Sequence, residues 1–121
     1  MGIPAPELAV HRLNTVAFIA ADSFACVLNR AVPVSDGAGG KTVTYSPLAS
    51  QTMRLIPLGD GATERQAEDG AMVRPTYMLL GRYDANMQRG DTFTKDGRRY
   101  RVVYINENSQ YERKGEVVYV G

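Results

Sequence analysis

The chain has 121 residues and a formal net charge of +1, from 14 Lys+Arg against 13 Asp+Glu. That length suits one domain with a single core, and the near-neutral balance argues against a surface that coats a polyanion, which carries a marked basic excess. A hydrophobic content of 44% with 22% charged residues excludes global disorder.

Residues 1–6 are punctuated by Pro and Gly and read as a loose arm. Pro6-Glu7 marks a helix start, with proline in the first turn and an acid beside it. Leu8, His11 or Arg12, Thr15, Val16 and Ile19 recur at helical spacing, which predicts a helix over 6–20. Its stripe is weak, so docking on a partner rather than on its own core is one expectation. From Phe24 the pattern turns to β. Phe24 to Pro33 reads as one strand ended by proline. Ser35-Asp36-Gly37-Ala38-Gly39-Gly40 is a turn-rich linker, and Lys41 to Tyr45 returns as a β-branched strand. Together they predict a hairpin with a flexible tip, the loop 35–41. Ser50 to Leu58 alternates, with Met53 and Leu55 on one face and Arg54 on the other.

Gly59 to Met72 shows no apolar period. It holds Asp60, Glu64, Arg65, Glu68 and Asp69, a net −3, together with three glycines. A structureless stretch of this length in a small domain is expected to be functional or disordered. Thr76 to Tyr83 is the next strand, and Asn86 to Asp91 turns the chain. Asp96-Gly97 between alternating runs is the strongest short hairpin signal in the sequence. The return strand, Arg98 to Ile105, is expected to place Tyr100, Val102 and Tyr104 on one face and Arg99, Arg101, Val103 and Ile105 on the other. Tyr111 to Val120 forms a last strand. One helix and about six strands, with turns every 8–12 residues, predict a mainly β fold: a small antiparallel six-stranded barrel or sandwich with an N-terminal helix and long loops. The domain boundaries are an arm and helix over 1–23 and a β-domain over 24–121. Residues 82–114 carry eight basic and five acidic side chains, so the neutral total hides a basic segment and an acidic loop.

The chemistry-bearing residues are few. One cysteine, Cys26, excludes an internal disulfide, and with one histidine, His11, it cannot build a Cys/His zinc site. Cys26 reads as a small buried apolar side chain. Gly37-Ala38-Gly39-Gly40-Lys41-Thr42 imitates a phosphate loop, but the required first glycine falls on Ser35, and β-branched residues follow instead of a helix. Glu68 and Asp69 lack partner ligands at fixed spacing, so they read as a solvated acidic loop rather than a metal site. No serine sits in a nucleophile elbow and no base adjoins a nucleophile, so no catalytic residues, metal or cofactor are expected, and no enzyme. The longest N-terminal apolar run, Thr15 to Ala21, is far short of the roughly 18 residues of a membrane span. Ser23-Phe24-Ala25 imitates a signal-cleavage site, but His11-Arg12 is a poor basic leader, so a reducing compartment is expected. Arg98, Arg99 and Arg101 interleave with Tyr100 and Tyr104, which fits either a nucleic-acid stacking platform or core tyrosines under an outer basic face. Eleven Arg against three Lys, with seven Tyr and no Trp, suit protein interfaces; a GC-rich coding sequence would give the same bias.

The order of these pieces resembles the head-closure (stopper, or head-completion) proteins of long-tailed bacteriophages, grouped with the head–tail joining proteins. The resemblance covers residues 24–121. It runs through the Gly-rich hairpin at Asp36 to Gly40, Met53-Arg54-Leu55-Ile56-Pro57-Leu58-Gly59 and a polar loop. It continues through Thr76 to Tyr83, Gly90-Asp91, Asp96-Gly97-Arg98, Tyr100-Arg101-Val102-Val103 and a last strand from Arg113 to Tyr119. It implies a homo-oligomeric ring, six-fold or twelve-fold, in the virion neck, assembled in the host bacterial cytoplasm without a membrane. The ring would sit below the portal and its adaptor ring and above the tail terminator or tail tube. It would close the channel on packaged double-stranded DNA and open it for ejection. On that reading Asp60, Glu64, Arg65, Glu68 and Asp69 are candidate channel-loop residues, with the 35–41 tip as rival. Arg82, Tyr83, Arg98, Arg99 and Arg101 are candidate inter-subunit residues. The alternatives are a small-barrel nucleic-acid binder and a tail terminator or other neck ring.

Overall fold

Proline in the first turn and Glu7 beside it open α1, which spans Ala5–Ala20. Both favour an N-terminus, the one by lacking an N–H that would be orphaned there and the other by complementing the dipole. The computed structural model describes residues 2–35, 37, 39–59, 63–67, 70–106 and 109–121. After α1 come β1 (Phe24–Cys26), β2 (Asn29–Ser35), β3 (Lys41–Pro47), β4 (Gln51–Pro57), β5 (Arg65–Gln66), β6 (Met72–Val73), β7 (Tyr77–Arg82), β8 (Thr92–Lys95), β9 (Arg98–Ile105) and β10 (Glu112–Tyr119).

The chain is mainly β with one N-terminal helix, as its pattern predicts, but the main sheet has eight strands rather than six. Its order is β1-β4-β7-β10-β9-β8-β2-β3, and β5 and β6 form a separate ribbon. Every pairing is antiparallel. The sheet curls until β1 approaches β8, giving a half-barrel. One extra strand arises because the run Phe24 to Pro33 is cut at Val27-Leu28. Leu28 is fully buried, and its carbonyl accepts from the Leu48 amide at 2.8 Å. Before the cut the chain pairs with β4, and after it with β3 and β8. A single apolar run thus serves two different partners.

The core inside the curl is built from Cys26, Leu28, Met53, Leu79, Met87, Phe93, Tyr100, Val102 and Val117. The β8–β9 hairpin turns on Asp96 (φ 53°) and Gly97 (φ 76°), the left-handed pair that a two-residue turn between right-twisted strands requires. Gly115 is needed for space. A Cβ there would lie 2.5 Å from the Met87 sulfur and 3.1 Å from Val102 Cγ1. Gly115→Ala is therefore expected to cost about 1–3 kcal/mol from overpacking, read as a lowered urea midpoint at unchanged m-value.

Two expectations fail locally. The first is the alternation of β9. Val102 faces Val117 and Tyr104 faces Glu116, so Val103 is an extra, bulged residue. Beyond the bulge the faces swap. Tyr100 stays in the core, Tyr104 turns to the outer face and Ile105 turns inward. The second is the 59–72 segment. Its described residues are not structureless: β5 and β6 pair, and Ala67 and Val73 pack with Val103 and Val118 in a second small core on the outer face. Two-residue strands carry no readable period, so only the fold reveals them.

Candidate functional site

Two surfaces stand out. The first is the β2–β3 hairpin, an arm attached to the rest of the sheet by one register pair, Asn29↔Thr92. Seven pairs zip its strands together, from Asn29↔Pro47 to Ser35↔Lys41. Ala31, Pro33, Val43 and Tyr45 share one face, and Val32, Val34, Thr42 and Thr44 the other. Both faces are exposed, with Val43 at 57% and Tyr45 at 52%. An isolated two-stranded hairpin is marginal in water, so this arm depends on its root and on whatever covers it.

The root is a buried ion pair. Arg30 Nε donates to Asp91 Oδ1 at 3.1 Å, and Arg30 Nη2 to Oδ2 at 2.9 Å. The Gln88 amide also donates to Asp91 Oδ2 at 2.8 Å, and the Asp91 side chain is only 2% exposed. Hydrogen bonding to this carboxylate raises the Arg30 pKa, which keeps the guanidinium charged. The Cys26 thiol lies deep in the same core. Burial pushes its pKa from 9.0 to about 12, and the Asp91 charge adds to the rise. The folded value lies above the unfolded one, so this contribution to stability is complete below pH 9.0 and is lost as pH rises toward 12. Between pH 8 and pH 11 the native protein is expected to lose more unfolding free energy than Cys26→Ala does, read by urea titration at both values. The same protonated, buried thiol is expected to alkylate slowly until denaturant is added.

The second surface is the outer side of α1. Thr15 and Ile19 are buried against the sheet, and Leu8, His11 and Arg12 are half-buried. The helix sits over β4 and β7 and is pinned at two points, near its C-terminal end and at its middle. Arg54 Nη1 donates to the Phe18 carbonyl at 2.9 Å, and Arg12 Nε to the Gln110 carbonyl at 3.0 Å. The opposite side carries Ala9, Val10, Leu13, Val16, Ala17 and Ala20, all exposed, with Leu13 at 70%. No charge falls in this arc. Val16 belongs to the exposed side and not to the docked stripe. The stripe is weak because the docked side carries His11, Arg12 and Thr15, while the opposite side is apolar. That signal, six further apolar residues on the far face, was readable in the sequence.

The candidate channel residues separate. Asp60, Glu68 and Asp69 lie outside the described residues. Glu64 is exposed in an open cleft lined also by Arg65, Gln66, Arg89, Tyr104 and Ile105. Arg65 is bound to the barrel wall. Its Nε and Nη2 each donate to Glu116 at 3.1 Å, and its guanidinium stacks 3.7 Å above the Tyr104 ring. Asn106 Nδ2 donates to the same carboxylate at 3.0 Å. The candidate inter-subunit residues fall into two groups. Arg82 is exposed and Tyr83 half-buried under Arg12, 3.6 Å from its ring centroid; both lie where β7 meets the start of β10. Arg98 and Arg99 are exposed and Arg101 half-buried, beside the end of β10. The length of β10, about 24 Å, divides the groups.

Tyr100 stacks on Phe93 in the core, with 5.2 Å between ring centroids, while Tyr104 faces the other way under Arg65. The two tyrosines therefore form no common stacking surface. His11 Nε2 lies 3.4 Å from Glu7 Oε1, and its ring 5.0 Å from that of Tyr111, on the helix and away from Cys26 in the core. Among the described residues no three His, Cys, Asp or Glu side chains gather as metal ligands, and no helix is long and apolar enough to cross a membrane. Neither a family model nor a curated protein matches the sequence.

Proposed function

We propose that this chain is a structural neck protein of a tailed-phage virion, a ring subunit that joins head to tail and helps close the DNA channel. The observation that carries this reading is the β2–β3 arm. Seven residue pairs of β-structure join the sheet through one register pair, with residues 31–35 and 42–47 exposed on both faces, and a two-stranded element of this kind is marginal in water unless a neighbour shares it. Gly37, Gly39 and Gly40 then lie beyond the last pair, Ser35↔Lys41, at the end of the arm away from the Asn29–Thr92 root. Of the two lumen candidates this tip fits better than 59–72, because Ala67, Val73 and Arg65 tie the described part of that segment to β9 and β10. A tip without aromatic or aliphatic bulk can change position as the channel opens.

The test is the particle and the purified protein together. Electron microscopy of the purified chain is expected to show six- or twelve-fold rings, which co-purify with portal components. Particles whose protein lacks 36–40 are expected to assemble necks and lose packaged DNA. A chain that stays monomeric and binds DNA with a steep salt dependence would overturn this reading in favour of a nucleic-acid binder.

A further inference from the structure

We infer that the free edge of β3 is a strand-pairing site whose partner is β3 of a second copy, antiparallel and centred on Val43. The contact goes beyond the ring reading and stands apart from it. A two-fold contact closes on two copies, so it is not the one that repeats around a ring.

The backbone shows which groups are free. β3 is the last strand of the sheet and, among the described residues, pairs only with β2. In an antiparallel ladder, hydrogen-bonded pairs alternate with non-bonded ones. The Leu48 amide donates to the Leu28 carbonyl at 2.8 Å, and the unbroken register from Asn29↔Pro47 sets Leu28 opposite Leu48. The bonded pairs are therefore Arg30↔Ser46, Val32↔Thr44 and Val34↔Thr42. The N–H and C=O groups of Lys41, Val43 and Tyr45 point away from β2. Other features agree with this phase. Pro33 and Pro47, which have no N–H to give, both fall on non-bonded positions, and Asn29 turns its backbone outward to pair with Thr92. The opposite edge of the arm is interrupted at Pro33, so β3 alone offers a continuous row. Thr42 to Pro47 are exposed, so among the described residues nothing in the same copy covers it. A helix could not satisfy it, since the backbone groups of a helix bond to one another.

The occupant is a second copy because the row is its own complement. With Val43 opposite Val43 of the second copy, Lys41 falls opposite Tyr45 and Thr42 opposite Thr44. This register gives three bonded pairs, about six hydrogen bonds, and sets threonine beside threonine, a favourable cross-strand pair. Sliding toward the tip loses a bonded pair and then sets Lys41 against Lys41. Sliding toward the root runs into Pro47, which has no N–H. The product is a four-stranded sheet, β2-β3-β3-β2, which supplies the further strands that a lone hairpin lacks. The two bodies stay apart, because each Pro47 lies four residues from the centre in opposite directions, leaving about 27 Å between the roots.

The test uses the full chain. In this register Thr42 of one copy and Thr44 of the other form a non-bonded cross-strand pair, with Cα atoms about 4.5 Å apart. Position 42 lies about 7–8 Å from its own counterpart, and so does position 44. A disulfide spans the first distance, and the second only if the backbone moves. Under mild oxidation an equimolar mixture of Thr42→Cys and Thr44→Cys chains is therefore expected to give the mixed dimer, and either variant alone far less. The buried Cys26 takes no part. Val43→Pro removes an N–H that the arm's own ladder does not use, so the melting profile should hold. Added to both cysteine variants, it is expected to abolish the mixed dimer, while Val43→Thr, which keeps the N–H, retains it. Equal cross-linking of each variant with itself, no cross-linking, or a mixed dimer that survives Val43→Pro would each overturn the edge contact. Six- or twelve-fold rings, present or absent in the unaltered chain, decide the ring reading and not this contact.

Discussion

Replacing Arg30 by methionine is expected to cost about 3–5 kcal/mol of unfolding free energy, because it strands the Asp91 carboxylate in the core. Asp91 is 1% exposed and, among the described residues, would keep the Gln88 amide as its donor. Total stabilities of small domains run about 5–15 kcal/mol, so this single change removes a large part of the margin. The reverse change, Asp91→Leu, leaves a guanidinium that is 22% exposed and can reach water, so it is expected to cost less. The double variant Arg30→Met, Asp91→Leu is expected to lose well under the sum of the two single losses, since removing both charges spares the desolvation that either alone incurs. Urea unfolding of the four proteins completes the cycle. A loss for Arg30→Met below about 1 kcal/mol would mean the pair is as weak as a surface bridge. The effect should also be local: amide exchange in β2 and β3 is expected to rise more than in β7 and β10, because Arg30 ties the arm to the chain at Asp91.

Phe93→Ala is the second large effect, expected at about 3–5 kcal/mol. Phe93 is 1% exposed, stacked on Tyr100 and tilted against Phe24 at 5.9 Å. It thereby links β8 to β9 and to β1, at the seam where the sheet curls back on itself. The cavity would open between strands that meet only through side chains, so a loss of near-ultraviolet dichroism before far-ultraviolet dichroism is expected on mild heating. Phe93→Leu keeps most of the volume and is expected to cost under about 1.5 kcal/mol. Phe18→Ala serves as contrast. Phe18 is 49% exposed, and its ring is stacked by Arg54 at 4.3 Å, so its loss should stay near 1 kcal/mol. Equal losses for Phe93→Ala and Phe18→Ala would contradict this placement of the core.

The arm shows how far local reasoning reaches toward a candidate surface. Its strands and its Gly-rich tip are legible, because β-branched residues flank a run that cannot hold regular structure. That both faces are bare is not legible. The sequence Val32-Pro33-Val34 against Thr42-Val43-Thr44 has no polar side to mark as solvent-facing, and would read the same in a buried strand. The helix inverts the lesson. Its buried residues include Thr15, and its exposed ones include Leu13 and Val16, because the sheet face beneath it happens to accept that side. The Arg65–Glu116 and Arg30–Asp91 pairs join residues 51 and 61 positions apart, and no spacing rule announces them.

From the sequence alone came the elements whose causes are local: the Pro6–Glu7 helix start, the Asp96-Gly97 turn, the alternation of β4, the mainly β class and the segregation of acidic from basic segments. Each depends on residues within a turn or two of one another, where backbone sterics and side-chain period act directly. The tertiary structure alone decided which strands pair, where the run from Phe24 divides, that Val103 bulges and turns Tyr104 outward, and that Arg65 and Ala67 are tied to the barrel wall. These follow from closing a twisted sheet on a core of fixed volume. That is a condition on the whole chain, and it sorts apolar residues into covered and bare by what remains to cover them.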